Sequence, residues 1–281
     1  MKGVKTVHGS GLAAAVFTSR GPTLQEHEVE YKAYNEDAVA VRFRPADGNQ
    51  GRPQLMAIGA FDQAGGEGSS KETGVASYIA ARCFEDAALK VEEGADIEPS
   101  LREAVQKASA QIMARKESQV TTFAAAILVS CPWLGSTVEA YVINVGDSRV
   151  AAFDRFGKLK FATTLHNGGA QTHALGDDGY SCANLVTQVV GSPECECEPD
   201  LYHWTLESGD WLVTATDGIG DALELKLKAE RGSSRWHADV SVDMQGEVLS
   251  LMGTAEQGAQ ALVEFALDQM KKGEGKPDNV G

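Results

Sequence analysis

The chain has no excess of basic residues, no long apolar run and no cysteine pattern that predicts disulfides. Its 281 residues include 25 Lys and Arg against 40 Asp and Glu, which gives a formal net charge of −15. A nucleic acid or an anionic membrane would repel such a chain unless it carried a basic patch. The longest convincing apolar run, residues 123–129, is the length of a strand, far short of the roughly 20 residues that a membrane span needs. We therefore expect neither a nucleic-acid partner nor a membrane partner.

The sequence also has little that indicates export. The five cysteines are an odd set without the spacing of a disulfide framework, which is typical of a reducing compartment. The apolar stretch at residues 12–17 is shorter than the roughly 7–15 residues of a signal-peptide core. We expect a cytoplasmic protein, and we expect it to be a monomer.

Apolar periodicity predicts one α+β domain over residues 1–281. A chain of this length with 43% hydrophobic residues is long for one domain and short for two large ones. Segments with strand character and segments of helical spacing come in blocks, whereas a parallel α/β sheet alternates them one by one. Antiparallel sheets covered by helices fit this order. The predicted strands lie at residues 12–18, 38–43, 55–61, 122–130, 138–145, 149–153, 159–163 and 211–216, and the predicted helices at 72–91, 101–115, 221–230 and 255–272.

Acidic residues stand at five places where a predicted strand meets a loop. Taken singly, each is ordinary turn chemistry, because Asp caps backbone amides and Gly accepts a positive φ. Together they indicate more, since carboxylates from strand ends far apart in the chain can converge at one edge of a sheet sandwich. Like charges gathered there are costly unless cations neutralise them. The five places are Asn35-Glu36-Asp37, Asp62-Gln63, Gly146-Asp147-Ser148, Thr216-Asp217-Gly218 and Pro277-Asp278-Asn279.

The chemistry of such a cluster would be that of hard metal ions. Oxygen ligands alone select Mg²⁺ or Mn²⁺ over zinc or copper. Two such ions about 3.5–4 Å apart can hold and deprotonate a bridging water, which is the usual apparatus for hydrolysing phosphate esters. The sequence therefore indicates a two-metal site for phosphate-ester hydrolysis.

With these motifs in this order, the sequence resembles the PP2C family of metal-dependent serine/threonine protein phosphatases, in its bacterial form. The family's order and spacing extend across nearly the whole chain. The resemblance implies a four-layer α-β-β-α sandwich, in which two antiparallel sheets are flanked by helices. It also implies hydrolysis of phosphoserine and phosphothreonine in a phosphorylated protein substrate by a metal-activated water. The matching segments are Asn-Glu-Asp at 35–37, Phe-Asp-Gln-Ala-Gly-Gly at 61–66, Val-Gly-Asp-Ser-Arg at 145–149, Ala-Thr-Asp-Gly-Ile at 215–219 and Asp-Asn at 278–279.

The resemblance implies a ligand set for two Mn²⁺ or Mg²⁺ ions. In this set Asp62 would bridge the two ions. Asp217 and Asp278 would complete the protein ligands of the first ion. Glu36 and the backbone carbonyl of Gln63 would serve the second ion.

Further roles are implied by the same resemblance. Asp37 would hold metal-bound water from the outer shell. Asp147 would share a third, weaker ion with Asp217. Lys32 stands where family members usually carry the arginine that holds the substrate phosphate, so it would supply the charge without the two-pronged hydrogen bonding of a guanidinium. Residues 166–185, which have no clear periodicity, match the position of the family's flap beside the active site.

Departures from the family pattern keep two alternatives open. The family's Asp-Gly-His-Gly-Gly has become Asp-Gln-Ala-Gly-Gly, which puts the side chain of Gln63 where the backbone must approach a metal and removes a candidate leaving-group acid. The chain also stops at Gly281, where the family continues into a closing strand. Lys32, Gln63 and Ala64 favour the alternative of a catalytically weak or inactive binding module. Hydrolysis of a small phosphorylated metabolite by the same site is a further alternative that the sequence does not separate.

His166 follows a predicted strand and stands at the start of the predicted flap. His166 could assist a leaving group by donating a proton. We interpret it instead as a loop histidine satisfied by solvent, which is the more common situation for a histidine in such a position.

Overall fold

The computed structural model describes most of the chain. Lys32 and Asp278, two of the predicted site residues, lie outside the described part, as do residues 168–185 of the predicted flap. The described residues are 5–8, 12–19, 22–25, 28–31, 35–48, 53–64, 74–115, 119–130, 136–167, 186–193, 197–224, 253–272 and 280–281.

The strands of the described part are all paired antiparallel. They are β1 (Lys5–His8), β2 (Ala13–Val16), β3 (Pro22–Gln25), β4 (Glu28–Tyr31), β5 (Ala38–Arg44), β6 (Gln54–Phe61), β7 (Gln63–Ala64), β8 (Val120–Thr121), β9 (Phe123–Ser130), β10 (Val138–Val145), β11 (Arg149–Phe153), β12 (Leu159–Ala162), β13 (Asp200–Leu206) and β14 (Trp211–Ala215). The larger sheet has the strand order β13-β10-β9-β6-β5, and the smaller sheet has the order β12-β11-β14. β1 pairs with β2, β3 with β4, and β7 with β8.

The helices of the described part are α1 (Val75–Glu92), α2 (Ile97–Ala114), α3 (Asp217–Glu224) and α4 (Ala255–Lys271). α2 begins at Ile97 instead of the predicted residue 101, because Pro99 fits the first turn, where its missing N–H costs no intrahelical hydrogen bond. α3 begins at Asp217 instead of the predicted residue 221, so a predicted site residue lies in its first turn. No helix among the described residues is long and apolar enough to cross a membrane.

Alternation along β6 separates two apolar cores. β6 is buried at every position, as expected for a strand that is covered on both faces. Leu55, Ala57 and Phe61 pack with α1 and α2 on one face. Met56 and Ile58 pack with the smaller sheet on the other face. A third core lies between the smaller sheet and α4. The layers therefore run helix, sheet, sheet, helix, which confirms the predicted α+β sandwich.

Three aromatic rings fix the strand ends from which the acidic residues emerge. The ring centroids of Phe61 and Phe123 lie 4.9 Å apart in an edge-on arrangement, and Phe84 of α1 lies 6.0 Å from Phe61. All three rings are buried. Such ring pairs stabilise the fold by about 0.5–1.5 kcal/mol in addition to the stabilisation from burying their apolar area. Asp62 directly follows Phe61, and Thr122 directly precedes Phe123. The packing of these rings therefore sets where the ends of β6 and β9 leave the larger sheet.

Candidate active site

The register of β5 and β6 brings three of the predicted acidic residues to one edge of the larger sheet. Ala38 pairs with Phe61 at the end of these two strands. Continued by one residue, the same register sets Asp37 opposite Asp62, and continued by two it sets Glu36 opposite the residue after Asp62. Because paired strands end together here, acidic residues from two distant segments of the chain stand at the same edge of the sheet.

The backbone of Asp62 is held by the neighbouring strand. Its N–H donates to the Thr122 hydroxyl at 2.9 Å, and its carbonyl accepts from the Thr122 N–H at 2.9 Å. The Thr121 hydroxyl donates to the same carbonyl at 2.8 Å. Both threonines are fully buried, while Asp62 is partly exposed. Every one of these bonds uses main-chain atoms of Asp62, so they fix its position without using its carboxylate.

The smaller sheet positions two more of the predicted acidic residues, Asp147 and Asp217. Arg149 pairs with Ala215 at the end of β11 and β14. Continued by two residues, that register sets Asp147 opposite Asp217, which also occupies the first turn of α3. A carboxylate in a first turn is favoured by the helix dipole. Asp147 and Asp217 therefore lie at the same end of this strand pair.

Buried hydrogen bonds tie the edges of the two sheets together. The Thr216 hydroxyl donates to Asp37 Oδ2 at 2.9 Å, and it accepts from the Gly281 N–H at 3.1 Å. Asp37 is 8% exposed and Thr216 is fully buried. A Cβ on Gly281 would lie 3.0 Å from Asp37 Oδ2, so glycine is the residue that allows this close approach. No local sequence pattern predicts this contact, since Asp37 and Thr216 are 179 positions apart.

Val280 and Gly281 are anchored, whereas Asp278 lies outside the described part. Ser19 and Val280 exchange two backbone hydrogen bonds of 2.8 and 3.0 Å. Val280 is fully buried, and Gly281 contacts Asp37 as described above. The assignment of Asp278 as a metal ligand stays a prediction.

Gln63, which replaces the expected glycine, turns its side chain toward helix α1. Its Oε1 accepts from the Ala76 N–H at 3.0 Å, and the side chain is buried with 6% exposed. Gly74, at the N-cap position of α1, has no side chain with which to cap the helix. Ser77 in the same turn donates to the Glu36 carbonyl at 2.5 Å. The extra side chain is thus accommodated as a helix cap, and α1 holds the main chain on both sides of the acidic edge.

Replacement of Gln63 by Met should destabilise the protein by about 1–2 kcal/mol, because Met keeps the length of the side chain but leaves a buried N–H without its acceptor. Urea unfolding monitored by circular dichroism measures this loss. Gln106→Met is the matched control, since Gln106 is exposed on α2, and it should change the free energy of unfolding by less than about 0.5 kcal/mol. An equal effect of the two substitutions would show that Gln63 does not cap α1.

The donor atoms at this edge suit a hard divalent cation. Glu36, Asp62, Asp147 and Asp217 offer carboxylate oxygens only, which is the donor set that Mg²⁺ and Mn²⁺ prefer. Within the described residues, no group of three or more His, Cys, Asp or Glu side chains is close enough to hold a metal ion. The chemistry of the donors therefore fits such ions, while a complete ligand cage is not already formed by the described side chains.

The interpretation of His166 as a solvent-satisfied loop residue was wrong. Its side chain is 7% exposed, and both ring nitrogens have partners. Gly146 donates its N–H to Nδ1 at 3.2 Å, and Nε2 lies 3.1 Å from Asp200 Oδ2. A ring whose nitrogens are both engaged is not poised to protonate a leaving group. No local pattern marks this contact, because Asp200 lies 34 residues away on another strand.

Comparisons with known proteins find similarity to phosphatases. The family model described as Protein phosphatase 2C matches residues 32–265. Among solved structures, the chain is similar to the PPM Ser-Thr phosphatase MsPP from Mycobacterium smegmatis in complex with cacodylate, with 19% identity and a TM-score of 0.58 over 99% of this chain and 95% of that one. It is also similar to a phosphatase from Toxoplasma gondii, with 14% identity and a TM-score of 0.57 over 95% and 90% of the two chains.

A third similar structure is RsbX in complex with magnesium, with 12% identity and a TM-score of 0.52 over 99% of this chain and 96% of that one. A comparison with curated proteins gave no match. At these identities the likeness to solved structures shows the fold. The family model, in contrast, is matched by most of the sequence itself.

Proposed function

The chain belongs to the protein phosphatase 2C family, and from that membership we propose that it hydrolyses phosphoserine and phosphothreonine in proteins with Mn²⁺ or Mg²⁺ as cofactor. Family and fold support phosphatase activity. The observation that carries the proposal is the strand register, because β5 and β6 end together next to Asp37 and Asp62, and β11 and β14 end together within two residues of Asp147 and Asp217. These strand ends supply carboxylates of the number and kind that a site with two or three hard cations needs.

The acidic edge would hold the ions. Asp62 would bridge two of them, with Asp217 and Asp278 on one side and Glu36 with the carbonyl of Gln63 on the other. Asp147 would join Asp217 in holding a third ion. When bound, such ions lower the pKa of water and neutralise the charge of a phosphate. The bonds of Asp62 to Thr121 and Thr122 are made by its main-chain N–H and carbonyl, so they hold the residue in place through its backbone.

Asp37 would orient water beside the ions. Its Oδ2 accepts from the Thr216 hydroxyl, and this bond fixes the plane of the carboxylate. Because the carboxylate is oriented, its lone pairs accept hydrogen bonds from water molecules that lie in a defined position. Asp37 would therefore act on the attacking water and would not contact the substrate.

The remaining steps concern the substrate phosphate and the leaving group. Lys32 would bind the phosphate as a single cationic donor. Its contacts stay a prediction, as do the flap at residues 166–185, the cytoplasmic location and the monomeric state. Since both nitrogens of His166 are engaged, the leaving alkoxide would take its proton from water.

The proposal is tested by comparing a phosphothreonine peptide with para-nitrophenyl phosphate in millimolar Mn²⁺. We expect kcat/KM for the peptide to exceed that for the small ester by about tenfold or more, because only the peptide contacts the protein beyond the phosphate. EDTA should abolish both reactions, and added Mn²⁺ should restore them. Turnover of small phosphate esters alone would identify a metabolite phosphatase. No turnover of either substrate would favour a binding or regulatory module.

A further inference from the structure

His166 has a single tautomer in this fold. A backbone N–H can only donate, so the contact of 3.2 Å between the Gly146 N–H and Nδ1 requires a lone pair on Nδ1. The proton of the neutral ring then resides on Nε2, from which it points to Asp200 Oδ2 at 3.1 Å. The ring is 7% exposed, so neither bond competes freely with water. His166 is thus an oriented acceptor for the backbone of Gly146.

The partner of Nε2 is itself held in place from β13. Asp200 Oδ2 accepts from the Tyr202 hydroxyl at 3.0 Å, and that hydroxyl accepts from the Thr164 N–H at 3.0 Å. Asp200 and Tyr202 are two positions apart on the strand, so they lie on the same face. Burial raises the pKa of Tyr202, which keeps its hydroxyl protonated as a donor. The chain of bonds runs from Thr164 through Tyr202 and Asp200 to the ring of His166.

The ring acts on the turn that presents Asp147. Besides the bond from the Gly146 N–H to Nδ1, the His166 N–H donates to the Gly146 carbonyl at 2.9 Å. The Asn144 amide donates to the same carbonyl at 3.3 Å. Both peptide groups of Gly146 are therefore bonded, and Asp147 is the next residue. Gly146 adopts φ +97°, a conformation that glycine tolerates because it lacks a side chain.

We propose that His166 is a positioning residue, which clamps the Gly146 turn so that the carboxylate of Asp147 faces Asp217 and can share a metal ion with it. This rests on the proposed function insofar as it assumes that these two aspartates bind a divalent cation. The role is distinct from acid–base catalysis, because both ring nitrogens are engaged by protein groups and the ring acts through Asp147. Loss of the acceptor at Nδ1 frees the turn and weakens binding of that ion.

Two conservative substitutions separate the two bonds of the ring. Asn places its Oδ1 where Nδ1 lies and keeps an acceptor for Gly146, while Gln places its amide nearer to Asp200 and leaves the Gly146 N–H without an acceptor. The backbone of residue 166 is fixed by its bonds to Gly146 and Thr187, so the side-chain atoms start from the same point in each variant. Each variant loses one buried hydrogen bond, and we expect similar losses of stability, about 1 kcal/mol.

The measurement is Mn²⁺ binding to the full chain, followed by the electron paramagnetic resonance signal of free Mn²⁺. His166→Gln should weaken the weakest class of Mn²⁺ sites by about tenfold or more, whereas His166→Asn should retain its affinity within about threefold. In an Asp147→Asn background, His166→Gln should have no further effect, since the residue through which it acts is gone. Thermal unfolding without metal controls for general damage to the fold.

Equal losses of affinity in the Asn and Gln variants would overturn the inference. So would a loss in His166→Gln that persists at full size in the Asp147→Asn background, or a wild-type chain that binds no Mn²⁺. A wild-type chain that binds Mn²⁺ but hydrolyses no phosphopeptide would contradict the proposed function alone. In that case the comparison of the two His166 variants would still decide whether this residue positions the turn.

Discussion

Replacement of Asp62 by Asn is expected to lower Mn²⁺-dependent hydrolysis of a phosphothreonine peptide by about a thousandfold or more, which corresponds to roughly 4 kcal/mol of lost transition-state stabilisation. Asn has nearly the same volume as Asp but lacks the charge that would bridge two cations. The bonds that hold residue 62 in place come from Thr121 and Thr122 to its main chain, so the substitution leaves them intact. Initial rates over a Mn²⁺ titration measure the loss.

The same variant should keep its fold. Without metal, its melting temperature should equal or exceed that of the wild type, because one of several neighbouring negative charges is removed. With metal, the wild type should be stabilised by ligand binding, and this shift should be reduced in Asp62→Asn. Asp268→Asn is the matched control, since Asp268 is an exposed residue of α4 that pairs with Lys272. Retained activity in Asp62→Asn would show that the metal assignment is wrong.

The strand ends at which the acidic residues stand could be predicted from sequence because each such end has a local pattern. A run of apolar residues followed by Asp and a small residue predicts the end of a strand, and such an end can be recognised from a few neighbouring positions. This was sufficient for the ends of β6 and β14, where Asp62 and Asp217 follow directly or after one residue. The layered architecture followed from the block order of strands and helices for the same reason.

The contacts that orient these residues could not be predicted, because they join distant segments. The bond from Thr216 to Asp37 and the contacts of His166 depend on how the two sheets stack, which no local periodicity specifies. The start of α3 was misjudged for a related reason. Gly218 and Gly220 lower helix propensity, yet packing of Ile219 in the third core offsets that cost. Tertiary packing therefore determines both these contacts and the start of α3.

Replacement of Gly146 by Ala is expected to destabilise the protein by about 3 kcal/mol and to weaken Mn²⁺ binding. A Cβ there would lie 2.7 Å from Thr122 Cγ2 and 2.9 Å from Thr122 Cβ, and the residue would keep an unfavourable φ of +97°. Strain at such a φ costs about 1–2 kcal/mol, and overpacking adds about 1–3 kcal/mol. The displaced residue would be Thr122, which holds the N–H of Asp62 and contacts Ser148 at 2.6 Å.

Two further glycines separate the causes of this loss. Gly94 has φ +98°, and no atom of the described residues lies within 4 Å of an added Cβ, so Gly94→Ala measures backbone strain alone. At Gly220, within α3, an added Cβ also meets no atom of the described residues within 4 Å, so Gly220→Ala should be neutral or stabilising. Thr122→Ser removes Cγ2 but keeps the hydroxyl, and it should restore part of the stability lost in Gly146→Ala. If Gly146→Ala cost no more than Gly94→Ala in urea unfolding, the close approach of Gly146 to Thr122 would not constrain the site. A larger cost, partly recovered by Thr122→Ser, would show that the turn before Asp147 and the strand end at Asp62 are packed as one unit.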